Sequence, residues 1–469
     1  MTRHLILDVS SLARWTGPPV GMMRVEHELA SLARRRLPQI TLCFYDPREN
    51  AYRPLQPEWA GRIIGWQGAI ATAALDERQS RRRLLPSRYP IVMALERRRL
   101  TARSARTARW MDRLQRLVLA PRAHQFPLAD KAGNRLALVP PDLALGSAML
   151  LGPGDIVLSA SSDWLYRDIT ALGRIKRQRG FRLCVICNDI IPLSHPEFFS
   201  AADVAVFKTF WDAMFPLADR VLAISRQTES DVLEYCAGSG LRPGATAVIP
   251  MGYRAGDDLS AAPLRPGLEP GRYALFVSTI EPRKNHALLL RVWRRLLAEG
   301  VPQRRRFKLV FVGRPGWMVQ RLLAEIADTA AFQGTLLHLA DVEDAELSTL
   351  YAQAAFCLYP SLYEGFGLPV IEAFARGRPV IASTGGALPE AVGGLSPCLD
   401  PGDDEAWLAA IRRWIEQPRV LSEAEARVRA GFARPDWEIA GMRIFEAAGF
   451  FSAASAASGH AAGAGLGGS

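Results

Sequence analysis

Long apolar segments are missing from this chain of 469 residues. A membrane-spanning helix needs about 20 consecutive apolar residues, and no run of even about 18 without a charge occurs here. Residues 1–9 reach the acidic Asp8 too early for a signal peptide and have the pattern of a first core strand. Hydrophobic residues make up 49% of the chain, which is long enough for two domains with separate cores. We therefore expect a soluble, cytoplasmic protein.

Cysteine is also scarce, with six residues scattered along the chain. Only Cys184 and Cys187 form a C-x-x-C pair, and they lie in an apolar run that predicts a buried strand. A structural zinc site needs a second pair of ligands, and none follows. We expect no zinc site, but free buried thiols in a reducing compartment.

Lysine is absent from residues 78–122, where fourteen arginines and two acidic residues give a charge of +12. The whole chain carries +11, so the remainder is close to neutral. Two stripes recur there at helical spacing, one basic (Arg103, Arg106, Arg109, Arg113, Arg116) and one apolar (Trp110, Leu114, Leu117, Val118). Two interpretations stay open: a solvated helix face, or peripheral contact with an anionic membrane surface. We expect no nucleic-acid partner, because no RNA-binding sheet pattern or helix-turn-helix unit is evident.

Apolar runs alternate with amphipathic stretches of helix length, which is typical of parallel α/β domains. The candidate strands of the first half are 5–9, 40–45, 155–160, 182–188, 220–225 and 246–250. Those of the second half are 273–279, 308–313, 336–340, 354–360 and 379–383. Doubly wound sheets of this kind bind ligands in a cleft at the carboxyl ends of their strands.

The pattern predicts five parts. Residues 1–255 form an N-terminal domain with a basic helical insertion at about 62–150, and residues 256–271 form a linker. Residues 272–435 form a C-terminal domain, and residues 436–451 contain a last helix. Residues 452–469 are nearly all Ala, Gly and Ser, so we predict a disordered tail.

Two carboxylates with seven residues between them, Glu364 and Glu372, carry the strongest signal. Glu364 follows a strand-like run, the turn Gly365-Phe366-Gly367 comes next, and Pro369 stands where a helix would begin. The unpaired N–H groups and positive dipole end of that helix suit an anionic or polyhydroxylated ligand. Spacing alone leaves a second interpretation open, in which one glutamate caps the helix and the other lies on the surface.

A second motif, Arg283-Lys284, lies between a predicted strand and a helix that runs to about Ala298. Arginine can bridge two oxygen atoms and lysine supplies a compact charge, so the pair at a helix start predicts phosphate binding. The alternative is two surface cations.

Residues 361–383, SLYEGFGLPVIEAFARGRPVIAS, resemble the E-x7-E signature of the retaining family 4 glycosyltransferases. The resemblance is strong from about residue 273 to 394 and weaker upstream. It implies an α/β protein with the GT-B fold, in which two doubly wound, Rossmann-like parallel-sheet domains face a cleft. It also implies that the last helix, at 436–451, crosses back onto the first domain.

By this resemblance the C-terminal domain binds a nucleotide diphosphate sugar. The expected donor-binding residues are Gly21, Ser278, Arg283, Lys284, Asp341, Val342, Glu364, Phe366, Gly367 and Glu372. The two cations would neutralise the diphosphate, Glu364 and the turn after it would bind the hexose, and Glu372 would bind the ribose. Ser278 stands where many relatives have glycine, the backbone at 341–342 would cradle the base, and Gly21 belongs to a glycine loop that faces the donor phosphates.

Residues 187–197, CNDIIPLSHPE, resemble the His-Asp-x-x-Pro segment of bacterial polysaccharide mannosyltransferases. Asn188 replaces the usual histidine and cannot act as a base, although it can hydrogen-bond a sugar hydroxyl. Asp189 stands where a carboxylate would orient the acceptor. The catalytic candidates are therefore Asp189, Asn188 and Glu364, while His195 is interpreted as structural.

The resemblance implies a retaining hexosyltransferase in polysaccharide biosynthesis, with mannose favoured and a glycan or lipid-linked oligosaccharide as acceptor. No D-x-D occurs, so we expect no metal and no other cofactor, and the cations would do the electrostatic work. The segment 78–122 would allow peripheral contact with the cytoplasmic membrane. A UDP-sugar enzyme with another acceptor is an alternative, and Asn188 leaves open an impaired carbohydrate- or membrane-binding scaffold. A phosphorylase would need a pyridoxal-phosphate lysine motif, and an epimerase of this fold would lack the paired glutamates.

Overall fold

The structure is a computed structural model. It describes residues 4–15, 22–65, 68–70, 89–100, scattered positions between 102 and 114, 137–160, 164, 167–253 and 262–451. The expected glycine loop with Gly21, most of the basic segment 78–122, the first part of the linker and the tail 452–469 lie outside the described residues.

The N-terminal sheet follows the apolar runs of the first half of the chain. Its strand order is β3-β2-β1-β6-β7-β8-β9, parallel except for the pairing of β2 with β3. The strands are β1 (Leu5–Asp8), β2 (Ile40–Asp46), β3 (Ala51–Pro54), β6 (Ile156–Ser159), β7 (Arg182–Cys187), β8 (Arg220–Ala223) and β9 (Ala245–Val248). Six of them lie within two residues of their predicted bounds. Sequence reasoning missed the edge strand β3, which contains Arg and Pro and is made by pairing with β2.

The C-terminal sheet is wholly parallel, in the order β12-β11-β10-β13-β14-β15. Its strands are β10 (Tyr273–Val277), β11 (Lys308–Val312), β12 (Leu336–Leu339), β13 (Phe356–Tyr359), β14 (Val380–Ser383) and β15 (Cys398–Leu399). The residues of β13 and β14 are all buried, as expected of parallel strands covered by helices on both faces. Only the two-residue strand β15 was not predicted.

Helices cover both sheets. In the first half they are Ser10–Arg14, Met22–Arg36, Pro57–Ile64, Tyr89–Leu100, Pro141–Ala144, Ile169–Arg179, Ile191–Ser194, Ala201–Leu217 and Arg226–Gly238, with the 3-10 turn Pro196–Phe198. In the second half they are His286–Ala298, Val301–Arg305, Gln320–Ala327, Asp344–Gln353, Leu368–Ala375, Leu388–Val392, Asp404–Glu416, Pro418–Gly431 and Trp437–Ala447, with the 3-10 turn Pro282–Lys284.

A small parallel pair, β4 (Gly68–Ile70) and β5 (Ala137–Val139), lies where a helical insertion was predicted. Sequence reasoning missed this pair because two strands of three residues carry little periodic signal. In the same region the helix Tyr89–Leu100 reaches the N-terminal domain, where Arg97 Nη1 lies 2.8 Å from Asp142 Oδ2. Trp110 is exposed.

The last helix, Trp437–Ala447, packs on the N-terminal domain. Asp436 caps it by accepting hydrogen bonds from the amides of Glu438 and Ile439. Its buried residues Ile444 and Phe445 belong to the core that contains β1 and β6. The polypeptide therefore crosses between the two domains twice, once before β10 and once before this helix, so two chain segments connect them.

The carboxyl ends of the two sheets face each other. A close contact joins Gly365 after β13 to the loop after β7, because a Cβ at Gly365 would lie 2.6 Å from the carbonyl oxygen of Asn188. Only glycine permits this approach. None of the helices in the described part of the chain is both long and apolar enough to cross a bilayer.

Candidate functional site

A turn at the carboxyl end of β10 presents the two cations of the Arg283-Lys284 motif. The turn ends at Asn285, whose φ of 57° is in the left-handed region that asparagine tolerates. The side-chain amide of Asn285 donates to the carbonyl oxygens of Pro360 (3.1 Å) and Pro401 (3.0 Å). These bonds tie the turn to the ends of β13 and β15, so the cations are held by the sheet and not by a free loop.

Both cations meet the first glutamate of the paired carboxylates. Arg283 Nη1 donates to Glu364 Oε2 over 2.6 Å, and Lys284 Nζ donates to Glu364 Oε1 over 2.5 Å. Arg283 also donates to the carbonyl oxygen of Tyr363 (2.6 Å) and to Glu281 Oε1 (2.7 Å). The motif, predicted to bind phosphate, thus lies in direct contact with the carboxylate that was predicted to bind sugar.

These contacts decide the charge of Glu364. Burial by itself raises the pKa of this carboxyl, but the positive charges of Arg283 and Lys284 outweigh it and lower the pKa to about 2. Glu364 is therefore ionised at neutral pH and can accept hydrogen bonds from hydroxyls. Burial raises the pKa of Glu281, although the charges of Arg283 and Lys284 act to lower it. The result is a compact, largely buried cluster of charges at the centre of the cleft.

The turn Gly365-Phe366-Gly367 links this cluster to the N-terminal domain. Gly367 has a φ of 121°, which side chains rarely adopt, and it precedes the helix Leu368–Ala375. The hydroxyls of Ser225 (2.7 Å) and Thr228 (3.1 Å) donate to the carbonyl oxygen of Gly365. Phe366 packs against the hydrophobic cores of both domains. The turn is consequently held on both sides of the cleft.

The second glutamate, Glu372, lies one turn into the helix Leu368–Ala375. The hydroxyl of Tyr351 donates to Glu372 Oε2 over 3.0 Å. Arg24 Nη1, from the N-terminal domain, donates to Glu372 Oε1 over 2.6 Å. Nothing in the sequence relates Arg24 to a residue that follows 348 positions later.

A pocket of about 270 Å³ lies beside Glu372 between the domains. Its walls include Arg24, Tyr253, Asp344, Tyr351, Glu372 and Trp437. The C-terminal helices 344–353 and 368–375 contribute to its lining, as does the helix Met22–Arg36 of the N-terminal domain. Tyr253 and Trp437 line it at the two places where the chain crosses between the domains. Carboxylates, the guanidinium groups of Arg24 and Arg376, and aromatic rings therefore meet in one concave site, as in many small-molecule pockets.

The catalytic candidates of the N-terminal domain come after β7. Asp189 lies against the turn that contains Gly365, since a Cβ built at Gly365 would be 2.8 Å from the Cβ of Asp189. Burial raises the pKa of Asp189, although the positive charge of Arg283 acts to lower it. Asn188 is only partly exposed and follows the buried Cys187. The structure brings Asp189, Asn188 and Glu364 together at one place in the cleft.

A second interdomain contact surrounds the N-terminus of the helix Arg226–Gly238. Ser225 caps this helix, and Glu390 of the C-terminal domain accepts from the amides of Arg226 (3.0 Å) and Gln227 (2.8 Å). Next to them, the hydroxyl of Tyr363 donates to Asp231 Oδ1 over 2.6 Å. No local signal in the sequence pointed to Glu390.

His195, interpreted from the sequence as structural, also lies at this boundary. Its ring centroid is 4.2 Å from that of Tyr363, and it stacks on Phe198. Beyond it the indole N–H of Trp317, in the C-terminal domain, donates to the carbonyl oxygen of Phe198 over 2.8 Å. Aromatic residues thus join the two domains along the loop that follows Asp189.

The remaining donor-binding candidates lie around the same sheet edge. The Ser278 hydroxyl lies 3.4 Å from His286 Nε2, and Gly313 after β11 approaches the carbonyl oxygen of Ser278 so closely that a Cβ would overlap it. Asp341 has an exposed side chain 3.6 Å from Arg314, and Val342 packs against the C-terminal core. Gly21 lies outside the described residues.

Metal ligands are not concentrated anywhere in the described part of the chain, where no three His, Cys, Asp or Glu side chains are placed to hold an ion. Cys184 and Cys187 are free and buried in β7, and Cys184 Sγ donates to the carbonyl oxygen of Ala448. The expectation of metal-independent chemistry stays a prediction.

Two parallel α/β domains that face each other across a cleft define the GT-B class of fold, and solved structures confirm it. HepE of Anabaena, in complex with UDP and glucose, aligns with a TM-score of 0.53 at 16% identity, over 95% of this chain and 99% of that one. The α,α-trehalose-phosphate synthase of Burkholderia xenovorans aligns with a TM-score of 0.50 at 14% identity, over 63% and 73% of the two chains. At these identities the likeness concerns the fold alone.

Sequence comparison finds similarities to known proteins over the C-terminal domain. Residues 266–431 match the family described as "Glycosyl transferases group 1". This chain is 37% identical over 166 residues to O-antigen chain mannosyltransferase B of Escherichia coli, an alignment that covers 35% of this chain and 42% of that protein. It is 33% identical over 205 residues to MMP alpha-(1->4)-mannosyltransferase of Mycolicibacterium hassiacum, covering 43% and 46%. The chain thus spans less than half the length of these relatives, and the predicted resemblance is confirmed over the C-terminal domain.

Proposed function

We propose that the protein is a retaining hexosyltransferase that moves mannose, in preference to other hexoses, from a nucleotide diphosphate sugar to a hydroxyl of a glycan or lipid-linked oligosaccharide. The observation that carries this proposal is the contact of Glu364 with Arg283 and Lys284 at the carboxyl edge of the C-terminal sheet. It joins a carboxylate suited to sugar hydroxyls with two cations suited to a diphosphate. The relatives named as mannosyltransferases support the choice of mannose.

The donor would lie along the row of charged groups. Arg283 and Lys284 neutralise the diphosphate, Glu364 and the amides of residues 366–367 bind the hexose, and Glu372 accepts from the ribose hydroxyls. Arg283 has a buried Nε–H without a partner in the structure, so its hydrogen-bonding capacity is not exhausted by Glu364, Glu281 and the carbonyl of Tyr363. The backbone at 341–342 would hold the base, and the loop that contains Gly21 would approach the phosphates.

The chemistry would proceed on one face of the sugar. The bond between the anomeric carbon and the β-phosphate oxygen breaks, the acceptor oxygen bonds to the same face of that carbon, and the acceptor proton passes to the departing phosphate. Asp189 and Asn188 would orient the acceptor hydroxyl from the N-terminal side. Guanidinium and ammonium groups would stabilise the leaving phosphate, so no metal or other cofactor is proposed.

The acceptor side carries a second expectation. A lipid-linked acceptor would be met at the cytoplasmic face of a membrane, and the charge of +12 in residues 78–122 suits anionic lipid. Liposome sedimentation with and without anionic lipid tests this association. Equal partitioning onto both would contradict it and would leave the solvated helix face as the interpretation.

The proposal is tested with purified protein, a panel of GDP and UDP sugars, and a Glu372→Ala variant as control. We expect transfer or slow hydrolysis of GDP-mannose that is unchanged by a metal chelator and is reduced at least about 100-fold in the variant. Turnover with UDP sugars alone would favour the alternative donor class. Absence of turnover with every donor, with the nucleotide still bound, would favour a carbohydrate- or membrane-binding scaffold, and unchanged turnover in the variant would contradict the site.

A further inference from the structure

The paired carboxylates are not completed by the C-terminal domain alone. Arg24 belongs to the N-terminal domain, yet its Nη1 donates to Glu372 Oε1 over 2.6 Å. The other oxygen of Glu372 accepts from the hydroxyl of Tyr351, which belongs to the same domain as Glu372. Each domain thus holds one oxygen of this carboxylate.

Arg24 is presented by a rigid element. It lies in the first turn of the helix Met22–Arg36, whose residues Val25 and Leu29 are buried in the N-terminal core. The last helix packs on the same helix, and Gly441 touches Leu32 there. Because its helix is packed into the N-terminal domain, Arg24 moves with that domain. It can keep its contact with Glu372 only while the two domains stay together.

Held at both oxygens, Glu372 keeps the capacity to bind a ligand. A carboxylate offers about four lone-pair positions, so two remain when Arg24 and Tyr351 have each taken one. A ribose presents two neighbouring hydroxyls, which matches that number. Fixing the side chain beforehand removes the rotamer entropy, up to about 2 kcal/mol, that a free glutamate would lose on binding.

Room for such a ligand adjoins the ion pair. Arg24 and Glu372 both line the interdomain pocket of about 270 Å³, together with Tyr253 and Asp344. An arginine has five N–H donors, and the hydrogen bond to Glu372 uses one of them. The others are available to a ligand that enters the pocket beside the carboxylate.

We propose that Arg24 is a positioning residue of the donor site, which orients Glu372 from the opposite domain so that the ribose hydroxyls are recognised fully only when the domains are closed. This inference rests on the proposed function and names a residue that the family resemblance did not assign. It couples donor binding to domain closure, because Glu372, which would bind the ribose, is oriented by Arg24 of the domain that would bind the acceptor.

The test compares a ribonucleoside diphosphate with its 2′,3′-dideoxy analogue by titration calorimetry. The proteins are the wild type, Arg24→Gln, Arg24→Lys, Glu372→Gln and the double variant Arg24→Gln/Glu372→Gln. Arg36→Gln is the matched control, because Arg36 lies on the same helix and pairs with the exposed Glu438 over 3.1 Å. GDP and UDP are both used, each with its dideoxy analogue.

We expect the wild type to bind the ribonucleotide about 100-fold more tightly than the dideoxy analogue. Arg24→Gln should reduce this ratio about 10-fold while it leaves dideoxy binding nearly unchanged, and Arg24→Lys should restore part of the ratio. The double variant should be no weaker than Glu372→Gln, since both changes remove one interaction. Arg36→Gln should behave as the wild type.

Other outcomes separate the inference from the function. An equal change in affinity for both ligands in Arg24→Gln would mean a purely structural role. Tighter binding of the ribonucleotide by this variant would mean that Arg24 competes with ribose for Glu372. Either result overturns the inference and leaves the proposed function standing. A wild type that binds neither GDP nor UDP, with or without a sugar attached, overturns the proposed function and the inference with it.

Discussion

The two glutamates of the site are equally enclosed but are held in different ways. Glu364 takes both of its cations from its own domain, from a turn only one strand away in the sheet. Glu372 takes its cation from the other domain. Their side chains are 15% and 13% exposed, so burial does not distinguish them. The side of the cleft that we propose for the sugar and the diphosphate takes its cations from the C-terminal domain alone, whereas the side that we propose for the ribose is completed by contact between the domains.

The difference has an energetic consequence. A buried ion pair adds little net stability, but removal of one partner leaves an uncompensated buried charge that costs about 3–5 kcal/mol. Without Arg283, Glu281 would face this cost in full, while Glu364 would keep only Lys284 as its partner. Loss of Arg24, by contrast, would expose Glu372 to a pocket that water can enter. Changes on the first side should therefore affect folding and function, and changes on the second side should affect mainly binding.

The largest effect is expected from Arg283→Gln. This change should lower the free energy of unfolding of the protein by about 3 kcal/mol and reduce donor turnover at least about 1,000-fold, because two buried carboxylates lose their guanidinium. Urea unfolding and steady-state kinetics measure the two quantities. Arg291→Gln is the matched control, because the Arg291–Asp404 pair (2.7 Å) is partly exposed and should contribute at most about 1 kcal/mol. Equal losses in both variants would contradict the buried cluster.

The two glutamates themselves should differ in which part of the donor they report. Glu372→Gln should weaken binding of the free nucleoside diphosphate about 10- to 100-fold, since it removes a charged acceptor for the ribose. Glu364→Gln should leave that binding within about 3-fold and should weaken the additional affinity that the sugar contributes. Calorimetry with nucleoside diphosphate and with sugar nucleotide separates the two variants. If both variants lost affinity for the free diphosphate equally, the assignment of sugar and ribose to separate carboxylates would be wrong.

A pH effect is expected on the C-terminal side. His286 is buried between Phe276 and Phe311, and burial, assisted by the charge of Lys284, lowers its pKa from 6.5 to about 3. At pH values between 3 and 6.5 this histidine is protonated in the unfolded chain but not in the folded protein. The free energy of unfolding therefore falls as the pH falls from 6.5 toward 3. Between pH 7 and pH 5 this amounts to about 2 kcal/mol.

A His286→Leu variant tests this account, because leucine of similar volume cannot titrate. Urea unfolding at pH 7 and pH 5 should show that the variant loses about 2 kcal/mol less than the wild type over this interval. Its affinity for the nucleoside diphosphate at pH 7 should change little, since His286 lies under the turn and not in the pocket. An identical pH slope in the two proteins would show that His286 does not exclude the proton.

The smallest effect is expected from Glu390→Gln at the second interdomain contact. Glu390 accepts two amide hydrogen bonds at the N-terminus of the helix Arg226–Gly238, and loss of the charge at such a position costs about 1 kcal/mol. Because this contact exists only when the domains are together, we expect KM for the donor to rise about 5-fold while unfolding is hardly affected. Glu423→Gln, at an exposed pair within the C-terminal domain, is the control and should change neither quantity. A loss of stability without a change in KM would contradict a role in closure.

Much of the fold could be predicted because its signals are local. Continuous apolar runs predicted the central strands of both sheets, and their alternation with helices predicted parallel α/β domains. The GT-B fold, which the solved structures confirm, was implied by the family resemblance. The strands that were missed, β3, β4, β5 and β15, are short edge or isolated strands that owe their structure to pairing with a neighbour. The E-x7-E segment was also readable because a strand, a glycine turn and a helix start follow each other directly in the chain.

The residues 283, 284, 364 and 372 were thus determined as candidates by the sequence itself, through residue types at fixed local spacing. Only the tertiary structure decided what surrounds them. Arg24 and Glu372 are 348 positions apart, and Glu390 is 164 positions from the amide that it accepts from. Neither pair has a local pattern, because packing of two separately folded domains sets their distances. The side chain of each site residue determines which chemistry it can perform. Its hydrogen-bond partner, its charge state and its dependence on domain closure follow from how the two domains contact each other.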